Sequence, residues 1–146
     1  MKFGLNFGLF GGEPSGPSPV ILPAVLSSVI EDGQADGILV QWNISMGMSC
    51  DIKNQINVLV DGHVEHVTSV EFHPHDRSKM GIILVHAVTA GQTVTWAYDD
   101  TGHCDLHQDG VPTNEADNQT YDVTNNLSSP TPSTRAFSSG YAIGFK

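Results

Sequence analysis

Cysteine is scarce: Cys50 and Cys104 are the two in 146 residues. Two are too few for a disulfide-built scaffold, so the fold must rest on a packed apolar core. Positive charge is scarce as well. Six Lys and Arg stand against sixteen Asp and Glu, a formal charge of −10. Nucleic acid rewards Lys and Arg through counterion release, so this surface repels it, and it repels anionic membranes too. Long hydrophobic runs are missing. Stretches such as Gly81-Ile82-Ile83-Leu84-Val85 fall far short of the roughly 20 apolar residues of a spanning helix. Amphipathic helical periodicity is missing along the whole chain.

Catalytic signatures are absent too. There is no G-x-S-x-G, no P-loop, no G-x-G-x-x-G behind a strand and no H-E-x-x-H. The scattered carboxylates do not point to a glycosidase pair. No enzymatic activity, no catalytic residue and no cofactor is expected. The opening Met1-Lys2-Phe3-Gly4-Leu5-Asn6-Phe7-Gly8-Leu9-Phe10 carries one Lys, and glycines break its apolar positions. No small-residue cleavage site follows, so it does not read as a secretory signal, and synthesis in a cytoplasm is expected.

What the chain does have is a three-part organisation. Residues 1–22 form an arm, with Phe3, Leu5, Phe7, Leu9 and Phe10 spaced by Gly and polar residues, followed by a Pro/Gly linker. Residues 127–146 form a Ser/Pro/Thr linker and a second arm bearing Phe137, Tyr141, Ile143 and Phe145. Gly-spaced aromatics cannot build a core alone, and exposed apolar groups of this kind mark contact surfaces. Burying one Phe or Leu contributes roughly 1.5–3 kcal/mol, so several anchors offset the ordering of a tether. These nine residues are the candidate partner-binding set.

The middle, 23–126, reads as strands. Ala24–Ile30 is rich in β-branched residues and runs to the turn Asp32-Gly33. Ile38, Val40, Trp42 and Ile44 alternate, as do Ile56, Val58 and Val60. Asp61-Gly62 predicts a tight hairpin, because both residues must accept positive φ. Val64, Val67, Val70 and Phe72 form the return segment, which Pro74 stops. Ile82–Val88 reads as a strand, Ala90-Gly91 as a turn, and Val94, Trp96 and Tyr98 alternate on the next strand. Tyr121 and Val123 mark a closing strand. Seven or eight strands with frequent turn signals predict an all-β sandwich. Trp42, Trp96 and Tyr98 are the expected core anchors.

The order Pro23–Ile30, Gly37–Trp42, Ile56–Gly62, Val67–Val70, Val88–Tyr98 and Asp122–Asn126 resembles the bacterial immunoglobulin-like repeats of the cyanobacterial swimming-protein type. The resemblance covers about 100 residues. It implies an immunoglobulin-like β-sandwich with extended arms. The region Gln108–Glu115 is only partly similar to the family's Asp-rich loop. The tails resemble those of small structural proteins of tailed-phage virions. That resemblance implies a virion location after synthesis in the host cytoplasm, and most concretely a capsid decoration (cement) protein. The implied partners are the major capsid protein or other virion subunits, or further copies of the chain as a homo-oligomer. Nucleic acid and membrane are not among them. A neck, tail or fibre component is an alternative. So is an adhesin-like module for a host-surface glycan or receptor.

Three smaller motifs remain. His73-Pro74-His75 and His103-Cys104-Asp105-Leu106-His107 contain potential ligands but not the four-ligand set of a closed zinc site. No metal site is assigned to them. Asp99-Asp100 and Asp105 through Asp109 lack the EF-hand spacing and read as solvated loops. Cys50 and Cys104 fall in loops that could meet at one end of a sandwich. Pairing is open, since a cytoplasmic start disfavours it and later oxidation allows it.

Overall fold

A computed structural model describes residues 20–128. They form eleven strands and no α-helix. The strands are β1 (Val25–Ile30), β2 (Gly37–Trp42), β3 (Met46–Met48), β4 (Ile56–Val60), β5 (His63–Glu65), β6 (Val67–His73), β7 (Asp76–Leu84), β8 (Val94–Tyr98), β9 (Leu106–Gln108), β10 (Val111–Glu115) and β11 (Thr120–Asn125).

Eight strands hydrogen-bond in the order β5-β4-β8-β11-β1-β2-β7-β6. The ladder turns over at β1. This strand pairs antiparallel with β2 and, through Val29 and Ile30, in parallel with Thr124 and Asn125 of β11. A register irregularity between Val25 and Ser27 accompanies the switch, as expected where one strand serves two layers. The layers β6-β7-β2-β1 and β5-β4-β8-β11 therefore face each other as an immunoglobulin-like β-sandwich.

The period-2 pattern explains the core. Ile38, Val40 and Trp42 of β2 point inward, as do Met80, Ile82 and Leu84 of β7. From the other layer come Ile56 and Val58 of β4 and Val94, Trp96 and Tyr98 of β8. The Trp42 and Trp96 rings meet edge to face at 6.3 Å across the layers, and Tyr121 stacks on Trp96 at 4.6 Å. Trp96 Nε1 donates to Ser28 Oγ at 2.9 Å. Trp42 Nε1 finds no acceptor among the described residues, so Trp42 contributes by packing alone.

Several sequence expectations change here. Asp61-Gly62 is a hairpin turn with positive φ at both residues, 51° and 82°. The return segment is not one strand, however. It splits at His66, where the chain crosses from β5 in one layer to β6 in the other. The strand read at Ile82–Val88 starts earlier and ends at Leu84, because the β6–β7 turn is tight and pairs His73 with Asp76. Val85 is half-exposed beyond the strand end, while Val88 is buried and anchored through its N–H to Ala35 C=O. The strand total exceeds seven or eight because β3, β9 and β10 form a separate small sheet inside segments read as loops.

Candidate functional site

The small sheet sits where the chain is most elaborated. Its strand β3 comes from the β2–β4 connection, and β9 and β10 come from the β8–β11 connection. Both connections leave the same end of the sandwich. Asp109-Gly110 turns β9 into β10, with Gly110 at φ 80°. Unlike the turn at 61–62, this one takes positive φ at its glycine only.

Cys50 and Cys104 form a disulfide between the two connections, with Cα atoms 5.3 Å apart. This settles the pairing that sequence left open, and it removes Cys104 from any ligand set. Gln55 reinforces the staple. Its Oε1 accepts from Cys104 N–H at 2.8 Å, and its Nε2 donates to Cys104 C=O at 2.7 Å and to Asp99 C=O at 2.9 Å. A Cβ at Gly102 would run into the Gln55 side chain, so glycine there lets the loop close over it. Ser49 Oγ accepts from Asp105 N–H at 2.8 Å.

Tyr98 is more than a core anchor. Its hydroxyl accepts from Leu106 N–H at 2.9 Å and reaches Glu115 Oε2 at 3.1 Å. Burial pushes its pKa up to about 12, so it remains a neutral donor to the Glu115 carboxylate. Burial also raises the Glu115 carboxyl, helped by the neighbouring carboxylates of Asp105 and Asp100 against the lowering bond from Tyr98. Asp99 is held low by Thr101, which donates from its hydroxyl at 2.6 Å and its backbone N–H at 2.9 Å.

Arg77 braces β3. Its Nε donates to Met46 C=O at 2.9 Å, its guanidinium lies 4.6 Å from the Phe72 ring centroid, and it faces Asp109 at 3.6 Å. Buried Asn114 of β10 donates to Ile21 C=O and to Gln108 Oε1, both at 2.8 Å. Asn43 donates to Leu22 C=O and accepts from Ala24 N–H. The entering segment is thereby pinned, while Val20, Ile21 and Leu22 stay 63–70% exposed. Gln55, Arg77 and Asn114 escaped sequence reasoning. Each acts on a backbone group far away in the chain, which no local pattern signals.

The expected candidates fall as follows. Trp42, Trp96 and Tyr98 are buried in the sandwich. The partner-binding residues Phe3, Leu5, Phe7, Leu9, Phe10, Phe137, Tyr141, Ile143 and Phe145 lie outside the described residues. His73 and His75 sit at the β6–β7 turn, where His75 N–H donates to His73 Nδ1 at 3.0 Å. Among the described residues no three His, Cys, Asp or Glu side chains gather as a metal set. Chemically, the stapled end is a braced platform. Asp99, Asp100 and Asp109 there are engaged by Thr101, Asn118 and Arg77.

No family model and no curated protein matches the chain. Solved structures do share the fold. The N-terminal part of the bacterial S-layer protein SbsC superposes with a TM-score of 0.58 at 18% identity, over 73% of this chain and 24% of that one. The S-layer protein rSbsC(31-844) gives 0.59 at 18% identity, over 73% of this chain and 14% of that one. The chain thus spans a quarter or less of the proteins it superposes on. At this identity the likeness is one of fold.

Proposed function

We propose that the chain is a non-catalytic virion structural protein of a tailed phage, most concretely a capsid decoration protein anchored by its terminal arms. One observation carries the reading. The first and last strands, β1 and β11, lie side by side and parallel. The chain therefore enters the sandwich at the stapled end and leaves at the opposite end. Such a module holds two tethers apart on a rigid body, as a spacer or cement needs. The acidic platform between them resists self-collapse and non-specific binding. The major capsid protein or another virion subunit would receive the Phe and Leu anchors of residues 1–12. Repetition over a symmetric lattice would make many weak contacts add up.

The test is incorporation of a chain lacking residues 1–12 into particles. Loss of association is expected. Unchanged incorporation rejects the arm as anchor.

A second reading is favoured by the disulfide and by the fold shared with S-layer proteins. A covalent staple suits an oxidising exterior, which a released virion and a cell surface both provide. On this reading the chain is a structural or adhesin-like module of a cell surface, with the exposed Val20-Ile21-Leu22 segment as its contact. Fractionation decides between the two: co-purification with particles supports the virion, and co-purification with envelopes supports the surface.

A further inference from the structure

The outer face of β1, β2 and β7 carries a depression of about 250 Å³. Ser27, Val29, Glu31, Leu39, Gln41 and Lys79 line it. Its origin lies in the register. Val29 pairs with Leu39, and Leu39 pairs with Gly81. Paired residues share a face, so glycine leaves space beside Leu39. One row further, Ser27 pairs with Gln41, and Gln41 with Lys79. The short Ser27 side chain widens the opening. The floor is apolar, from the half-buried Val29 and Leu39. Glu31 stands at one rim and Lys79, facing Asp76 at 3.7 Å, at the other.

The described chain ends beside the Glu31 rim. Asn126 N–H donates to Ile30 C=O at 2.9 Å, and Ser128 Oγ donates to Asp32 Oδ2 at 2.9 Å. The next residues, Ser129-Pro130-Thr131-Pro132-Ser133-Thr134, carry no large apolar side chain. Such a tether reaches about 20 Å when extended. Behind it come Phe137, Tyr141, Ile143 and Phe145. Charge favours a return to the sandwich. Of the sixteen acidic residues only Glu13 lies outside residues 20–128, whereas Lys2, Arg135 and Lys146 are half of the six basic ones. Residues 129–146 hold Arg135 and Lys146 and no acidic residue.

We propose that, before any partner is met, the C-terminal segment 135–146 lies on the outer face of β1, β2 and β7 of its own chain, with an aromatic ring seated over Val29 and Leu39. The short tether sets an effective concentration in about the millimolar range, so a modest apolar contact suffices to keep it there. Stowage shields the aromatics from water and from premature association. It stands without the virion reading, since it concerns the isolated protein, and particle incorporation is a separate measurement.

The full chain is digested with limiting chymotrypsin, and cleavage after Phe137 and Tyr141 is followed. Leu39→Glu places a charge on the outer floor and should speed that cleavage by about tenfold or more, as for a locally released segment. A second variant, Phe137→Ser with Tyr141→Ser, leaves the sandwich sequence intact. It should move the Val29 and Leu39 methyl resonances by removing the ring current, and it decides the matter alone if Leu39→Glu fails to fold. Methyl resonances unchanged in the arm variant overturn the proposal, as does equal cleavage of wild type and folded Leu39→Glu. Protection that rises with protein concentration also overturns it, because the groove would then hold a second copy's segment.

Discussion

The two ends of the sandwich are closed in different ways. The far end uses shorter connections, the longest running from 85 to 93 between β7 and β8, and polar side chains near them. Asp61 Oδ1 accepts from Thr93 N–H at 2.9 Å, and Asn125 Nδ2 donates to Thr89 and Gln92 carbonyls at 2.9 and 3.0 Å. The stapled end closes long connections with a covalent bond, a glutamine clamp and an added three-stranded sheet. The difference follows from chain entropy. Short turns lose little freedom on closing, whereas long loops lose more and need a cross-link or many partners to hold one conformation.

This contrast predicts a ranking. Breaking the staple has the largest effect. Cys50→Ser with Cys104→Ser, or reduction, frees a loop with a sequence separation of 54 residues, and the expected loss is about 4 kcal/mol by loop-closure entropy. Denaturant unfolding of reduced and oxidised protein reads it. A loss below about 1 kcal/mol would place the stability of that end in the sheet and the clamp. Next comes Gln55→Ala, which removes the side-chain partner of Cys104 N–H and Asp99 C=O and leaves Cys104 C=O with only the longer bond from the Tyr98 hydroxyl at 3.3 Å. About 2 kcal/mol is expected, since unpaired backbone groups cost more than the net value of a made bond.

At the far end Asp61→Ala loses two side-chain acceptor contacts and puts a Cβ-bearing residue without a local polar partner at φ 51°. It should cost about 1–2 kcal/mol. A loss equal to that of the staple would erase the distinction between the ends.

The smallest effect concerns Glu115, whose folded pKa is raised. A raised carboxyl binds its proton more tightly in the folded than in the unfolded protein. Its contribution is therefore fully present below the unfolded carboxylate value and is lost as pH rises through the folded one. Glu115→Gln should raise the melting temperature at neutral pH, and the difference from wild type should shrink on acidification. A difference independent of pH would assign the effect to packing and hydrogen bonding instead.

Legibility follows the same divide. Alternation at 38–42, 56–60 and 94–98 located the strands and the core residues Trp42, Trp96 and Tyr98, because burial on one face leaves a period-2 trace. The turns at 61–62 and 90–91 were legible because positive φ selects Gly and Asp locally. The small sheet was not. Its strands β3 and β9 are three residues long, too short to display a period. Gln55 and Asn114 act across 49 and 93 residues of sequence, a distance over which composition carries no signal. The crossing at His66 left no trace either, since strands before and after it share the same residue types.

A density map of purified particles tests the central claim most directly. The account predicts sandwich density on the capsid exterior, with residues 1–12 seated against a neighbouring subunit. Particles without this chain, or residues 1–12 packed on their own sandwich, would contradict it.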